Sequence, residues 1–199
     1  MTRSGKYIVC GLVLLVSACG SDEPPAPDSD STRIRSIEVS VTVSPAPSQP
    51  SSNRAPVKFD PCFEISDQAI SQAGYNPETR ERIDQVHEGW AFIGCTFERI
   101  ESVRGQRLNV GGLTITSTNT SVDEIRKKNE GEQRTVQDTE VDGRRGITYR
   151  VGGETCVTAL PGPDAALSIM VDSTAALTEW SACEHMQQTA EIIEAALPK

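Results

Sequence analysis

The chain has 199 residues, of which 28 are acidic and 19 are basic, and its formal net charge is −9. An acidic chain offers no general basic surface for nucleic acid and is not attracted to anionic lipid headgroups by charge. We therefore expect no nucleic-acid partner, and any attachment to a membrane has to come from apolar groups.

The N-terminus has the pattern of a lipoprotein signal peptide. Arg3 and Lys6 precede an apolar stretch at 7–16, which is long enough for a signal peptide and too short to span a bilayer. Val16-Ser17-Ala18-Cys19 places small residues directly before a cysteine, as a lipobox does. We expect cleavage of residues 1–18 and lipidation (palmitate) of Cys19, which would anchor the chain on the extracytoplasmic face of the cell membrane. The alternative is an ordinary secretory signal.

Residues 19–56 combine the lipidated cysteine with a Ser- and Pro-rich segment that has too few apolar residues to order itself, so we expect a disordered tether. Apolar and polar residues alternate over 37–43, which indicates either an extended tether or a strand that adds to a sheet edge. Residues 57–199 are long enough for one domain with its own core.

Four cysteines fall within the predicted domain, namely Cys62, Cys95, Cys156 and Cys183. Four cysteines in an exported domain predict two disulfides, and three pairings exist. We expect the sequential pairs Cys62–Cys95 and Cys156–Cys183, each closing a loop of about 30 residues. The chain has no pair of cysteines with the CxxC spacing, which argues against a thioredoxin-like motif and a zinc site.

The predicted elements begin with a helix over 67–73 capped by Ser66, followed by strands over 90–97 and 108–118. A second helix opens at the capping box Ser121–Glu124. Four strands follow, over 134–141, 147–151, 156–160 and 167–171, and then a C-terminal helix. Residues 76–88 are ambiguous. We expect an α+β domain in which an antiparallel sheet of about five to six strands is packed by an N-terminal and a C-terminal helix.

Three local signals refine this prediction. Asp142-Gly143 indicates a hairpin turn, and Gly111-Gly112 indicates a bulge or bend in its strand. Ser181 and Glu184 form a second capping box, which predicts that the last helix starts there. That start would put Cys183 at the second helical position, where a free thiolate would be favoured by the helix dipole.

No motif in the chain carries chemistry. Its two histidines, His87 and His185, lie in no catalytic pattern, and the paired glycines Gly111-Gly112 and Gly152-Gly153 do not open a helix as a phosphate loop does. We therefore predict no catalytic, cofactor-binding or metal-binding residues, and expect a non-catalytic binding or accessory module. Its partner would be an envelope protein or a small envelope ligand. The alternative is an envelope hydrolase or a thiol-redox enzyme.

Several short segments together resemble a known family; they are Phe59-Asp60-Pro61-Cys62, Gly94-Cys95-Thr96-Phe97, Gly146, Cys156-Val157, Cys183 and Ala196-Leu197-Pro198. Over residues 57–198 the chain resembles the actinobacterial lipoproteins of the domain of unknown function 3558 family. It departs from the family pattern at Phe97, where a tryptophan is expected. The resemblance implies an outward-facing envelope lipoprotein with no assigned activity. The layout is also similar, more weakly, to the α/β/α sandwich of Mog1 and PsbP-like proteins, which are mostly accessory or binding modules.

Overall fold

A computed structural model describes residues 37–198, so the predicted signal peptide and Cys19 lie outside the described residues. The helices of this part are α1 (Pro61–Glu64), α2 (Asp67–Gln72), α3 (Val122–Gly131) and α4 (Met186–Ala195). Its strands are β1 (Asn76–Arg82), β2 (Gln85–His87), β3 (Trp90–Val103), β4 (Gln106–Thr118), β5 (Val136–Val141), β6 (Arg144–Gly152), β7 (Thr155–Pro161) and β8 (Ala166–Ser173). Among the helices described, none has the length and apolar character needed to cross a membrane.

The strands form one open sheet in the order β1-β3-β4-β8-β7-β6-β5, and β2 also pairs with β3. Every neighbouring pair is antiparallel. The predicted combination of helices with an antiparallel sheet is therefore confirmed. The predicted number of about five to six strands is too low, because the sheet has eight.

The two missed strands are β1 and β2, which have no apolar alternation. In β1 the buried inward position is taken by Arg80, which is 4% exposed. Arg80 donates to the carbonyl oxygens of Cys62 (2.8 Å) and Ile65 (3.2 Å) and to the carboxylate of Asp67 (2.7 Å). Its guanidinium also lies 4.8 Å from the centre of the Phe97 ring. A polar strand is thus held to α1 and α2 by one buried arginine, a contact that periodicity cannot reveal.

The sheet has a helix-covered face on which α1, α2 and α4 pack. Because successive side chains of a strand point to opposite faces, alternate residues of the central strands enter this core. They include Cys95, Phe97, Leu113, Ile115, Leu160, Leu167, Ile169 and Val171, which meet Ile70 of α2 and Ala190 and Ile193 of α4. The main core therefore lies between this face and three of the helices.

The predicted caps of α2 and α3, the turn between β5 and β6 and the irregularity in β4 are confirmed. Ser66 Oγ accepts from the Ala69 N–H at the start of α2, and Ser121 with Glu124 forms the predicted capping box of α3. Asp142 and Gly143 join β5 to β6 with φ angles of 48° and 84°, as a two-residue hairpin turn requires. The register of β3 with β4 shifts next to Gly111, where a bulge or bend is predicted.

The start of α4 is not where the second capping box predicts it, because the helix begins at Met186. The Ser181 hydroxyl accepts a 3.4 Å bond from the Glu184 N–H but also donates to a Glu154 carboxylate oxygen at 2.9 Å. Cys183 is tied to β7 by a disulfide. These links hold the residues before α4 in a turn, so Cys183 does not occupy a helical N-terminal position.

Both predicted disulfides are present. Cys62–Cys95 joins α1 to β3 across 33 residues, and Cys156–Cys183 joins β7 to the turn before α4 across 27 residues. Cys62 and Cys95 are fully buried, whereas Cys183 is partly exposed. Of the three pairings that the sequence allows, the structure has the sequential one.

Residues 37–56, the described part of the predicted tether, contain no helix or strand but contact the domain. The Ser40 N–H donates to the Asp67 carboxylate (2.7 Å), and Val43 packs against the main core. The Gln49 side chain exchanges two 2.8 Å hydrogen bonds with the backbone of Val57. Over these residues the structure differs from a free tether, since both the apolar and the polar contacts hold the segment to the domain. The strand considered for 37–43 is not formed.

Candidate binding site

The opposite face of the sheet is only partly covered. Here α3 is the one helix of the described chain that packs, and its Ile125 meets Ile147, Ala159 and Ala166. The strand register puts a second row of side chains beside this contact, running across five strands from β3 to β6: Thr96, Thr114, Met170, Val157 and Tyr149. We call this side of the sheet the open face.

A groove of about 720 Å³ lies on the open face, and its volume falls within the range of about 300–1,000 Å³ that is usual for small-molecule sites. The residues that define it include Thr114, Thr116, Ser168 and Met170 from the central strands, Trp90 and Phe92 from β3, Tyr149 and Val151 from β6, Ile83 from the β1–β2 turn, and Lys128 and Asn129 from α3.

Exposed apolar side chains are concentrated at the groove. Five large hydrophobic side chains are exposed in the described chain, and three of them line the groove: Ile83 (37%), Trp90 (37%) and Val151 (44%). Scattered exposed apolar residues are ordinary, but a cluster around a concavity marks a surface that is covered by something else. The groove is therefore the best candidate for a functional site in this structure.

Trp90 is held in position by its aromatic neighbours. Its ring stacks on His87, with centroids 4.0 Å apart and an interplanar angle of 26°, and it meets Phe92 edge-on at 5.6 Å. His87 and Trp90 are paired across the β2–β3 hairpin. One face of the indole is thus occupied by the imidazole, and the ring contributes a rigid apolar surface to the groove.

The segment before the domain contributes to the groove through Arg54. Its guanidinium donates to both carboxylate oxygens of Glu124 on α3 and to the carbonyl oxygen of Asn119 (3.1 Å). The hydrogen bond from Arg54, together with one from the Ser121 backbone, lowers the pKa of Glu124 to about 2. Glu124 is therefore ionised at neutral pH, and its charge is balanced by Arg54.

Two more cations line the groove from the other half of α3 and the residues after it. Arg134 donates to the Asn129 side chain at 2.7 Å and pairs with Glu132. Lys128 makes no ion pair with any residue of the described chain. Next to this positive end, burial raises the pKa of the Tyr149 hydroxyl, which stays neutral.

Comparison with known families identifies the chain. The model of the family described as protein of unknown function (DUF3558) matches residues 14–196. The chain belongs to this family. No curated protein and no solved structure gave a match. The matched region of the DUF3558 chain contains both disulfides and every residue that defines the groove.

The residues singled out from the sequence lie mostly away from the groove of this DUF3558 domain. Neither disulfide lines it. His185 stacks on Trp180 at 5.2 Å beside α4, and the Arg99 guanidinium lies 4.3 Å from the centre of the same indole ring. Gly153 lies in a turn with a φ of 52°, a backbone angle that glycine adopts readily. The pair Gly152-Gly153 is therefore explained by the turn. Among residues 37–198 no three His, Cys, Asp or Glu side chains are grouped as metal ligands.

Sequence reasoning missed the groove, although its signals were present. Thr114 and Thr116 alternate with the buried apolar residues Leu113 and Ile115 along β4, which identifies one face of that strand as polar. Trp90 and Phe92 are two residues apart on β3, so their side chains lie on the same face of that strand. What the chain order does not reveal is that these residues lie on the same face as Tyr149 and Val151, which are more than 30 residues away in sequence and belong to another strand.

Proposed function

We propose that this DUF3558 protein is a lipoprotein of the actinobacterial cell envelope, anchored through Cys19 on the extracytoplasmic face of the cell membrane. Its domain binds a small envelope ligand with an apolar part in the groove and does not transform it. The lipobox before Cys19 supports the anchor. Helices on both faces of the sheet are in keeping with a Mog1- or PsbP-like accessory module.

One observation carries the binding role, namely the cluster of exposed apolar side chains around a concave site. Leaving Ile83, Trp90 and Val151 in water forgoes the stabilisation that their burial would give, about 25 cal/mol per Å². A ligand that covers them regains this free energy on binding. The disulfides support binding over a thiol-redox role, because Cys62 and Cys95 are fully buried and neither bridge reaches the groove.

Substitution in the groove wall tests the binding role. We expect the full-length protein to bind the neutral apolar dye Nile red, and V151D to weaken this binding by about tenfold or more, because the carboxylate has to be desolvated against the dye. Fluorescence titration measures the dissociation constant. The matched control is I37D, since Ile37 is exposed to a similar degree but lies outside the groove.

Two results would contradict the binding role. One is no dye binding by the wild-type protein, and the other is equal loss of binding in V151D and I37D. Val151 is 44% exposed, so its replacement does not open a cavity in the core, and far-UV circular dichroism of each variant checks that the fold is retained.

The anchor is tested separately by C19A. We expect the wild-type chain to be recovered in the membrane fraction of an actinobacterial host, with an N-terminal peptide that starts at Cys19 and carries the mass of acyl chains. Intact-mass and peptide mass spectrometry measure both features. In C19A the acyl mass should disappear and the membrane-bound fraction should fall, because two or more acyl chains are needed for stable attachment. An unacylated wild-type chain would refute the anchor.

A further inference from the structure

We propose that the ligand of the groove is a long-chain fatty carboxylate, which lies across the strands with its carboxylate at Lys128 and Arg134. The inference rests on the proposed binding role and adds the chemical class of the ligand. It draws on three features of the groove: its charge, its shape and the state of its polar floor.

The charge of the groove is opposite to that of the chain. Among the groups that carry a full charge at neutral pH, the lining contains three cations, Arg54, Lys128 and Arg134, and one carboxylate, Glu124. The whole chain has 28 acidic and 19 basic residues. A positive lining on a negative protein is the complementarity expected for an anionic ligand, because the local potential raises its concentration at the site while the rest of the surface repels it.

The positive charge is concentrated at one end. Arg54 and Glu124 neutralise each other through a two-point contact. Arg134 forms an ion pair with Glu132, whereas Lys128 has no ion-pair partner in the described part of the chain. The ammonium of Lys128 is thus the charged group of the lining that is most available to a ligand, and the guanidinium of Arg134 in the same lining has further N–H donors for a carboxylate oxygen.

The rest of the groove suits an apolar chain. The lining from Tyr149 on β6 to Phe92 on β3 crosses four strand spacings, or about 19 Å at about 4.8 Å each. Beyond the charged end the walls are Trp90, Phe92 and Ile83. An elongated, flexible chain can follow this lining and cover the exposed apolar side chains at both of its ends.

The hydroxyl of Thr114 on the groove floor already has a partner. It donates to the Thr96 hydroxyl at 3.3 Å on the neighbouring strand. Covering Thr114 with a hydrocarbon therefore leaves no orphaned donor there, and its methyl group offers apolar contact. Met170 and Val157 complete the same row.

Displacement of Nile red tests the charge preference of the groove. The competitors are laurate, dodecyltrimethylammonium and dodecyl maltoside, which have the same chain length and differ in headgroup charge, each kept below its micelle-forming concentration at pH 8. We expect laurate to displace the dye from the full-length protein at a concentration about tenfold lower than the cation, with the neutral amphiphile between them.

Substitution on α3 locates the headgroup. K128Q should reduce the advantage of laurate over dodecyltrimethylammonium by about fivefold or more, and this ratio is compared within each variant so that a change in its affinity for Nile red does not affect it. The matched control is K127Q, which removes the same charge from the same helix at an exposed position outside the groove. Lys128 makes no ion pair in the described chain, so its loss is not expected to affect folding.

The possible failures are distinguishable. If Nile red binds and the three amphiphiles compete equally, the fatty carboxylate is wrong and the groove remains a binding site. If K127Q acts as strongly as K128Q, the preference for laurate comes from the general positive potential of the helix and not from a contact with Lys128. That result overturns the placement of the carboxylate at Lys128. If Nile red does not bind at all, both this inference and the proposed function fail.

Discussion

Replacement of Cys62 and Cys95 together by alanine is expected to lower the free energy of unfolding by about 4 kcal/mol. The bridge closes a loop of 33 residues, and its loss returns that conformational entropy to the unfolded chain. The total free energy of unfolding of an ordinary domain is about 5–15 kcal/mol, so this loss is a large share of it. Urea denaturation of the full-length protein, followed by circular dichroism, measures it.

The second disulfide is the matched control for this prediction. The double variant C156A/C183A removes the bridge that closes a loop of 27 residues, so chain entropy alone predicts a loss smaller by only about 0.2 kcal/mol. Because Cys183 is partly exposed and the other bridge is fully buried, mild reductant should open Cys156–Cys183 first. An unchanged unfolding midpoint in C62A/C95A would refute the stabilising role of the buried bridge.

Replacement of Arg80 by methionine is expected to cost about 3–5 kcal/mol of stability. The change removes the ion pair with Asp67 and the donors to the carbonyl oxygens of Cys62 and Ile65, while the carboxylate stays in a site that is largely buried. Methionine keeps much of the apolar volume, so the loss reports mainly the polar contacts. The measurement is the free energy of unfolding at pH 7.

The choice of pH follows from the Asp67 carboxylate. Burial raises its pKa, but hydrogen bonds from Ser40 and Arg80 outweigh this effect and leave the pKa below its ordinary value. A carboxyl group with a lowered folded pKa contributes stability that is complete above its unfolded pKa and is lost as the pH falls through the folded pKa. The ion pair therefore contributes in full at neutral pH, and R80M should lose less stability in acid.

Three further variants, R145M, D67N and R80M/D67N, make this prediction specific. R145M removes an arginine whose side chain is 92% exposed, and it should change stability by less than about 0.5 kcal/mol. The double variant R80M/D67N removes both charges, so it should cost less than the sum of the two single variants. Strict additivity would show that Arg80 and Asp67 do not act as a pair.

Much of the fold follows from signals that lie within a few residues of one another. The capping box of α3, the cap of α2 and the Asp142-Gly143 turn each satisfy nearby backbone groups or backbone angles, and each is found where it is predicted. The sequential disulfides also agree with expectation. These features could be predicted because their physical causes are local or covalent.

Other elements were misjudged because distant residues decide them. The polar strand β1 exists because Arg80 reaches α1 and α2, and α4 starts late because Ser181 and Cys183 are bound to residues near β7. In both cases a long-range contact outweighs a local pattern. The same applies to residues 37–56, whose composition predicts a tether but whose Gln49 and Arg54 bind the domain.

By itself the sequence determines the family of this protein and the number of its disulfides. It also determines an antiparallel sheet whose strands are preceded and followed in the chain by a helix. Each of these features depends on residue identity and short-range order. Only the tertiary structure decides that β3, β4, β8, β7 and β6 stand side by side and leave one face partly uncovered. That pairing brings Trp90, Val151 and Lys128 around one groove. The physical reason is that a binding surface on a sheet is built across the strands, and sequence order runs along them.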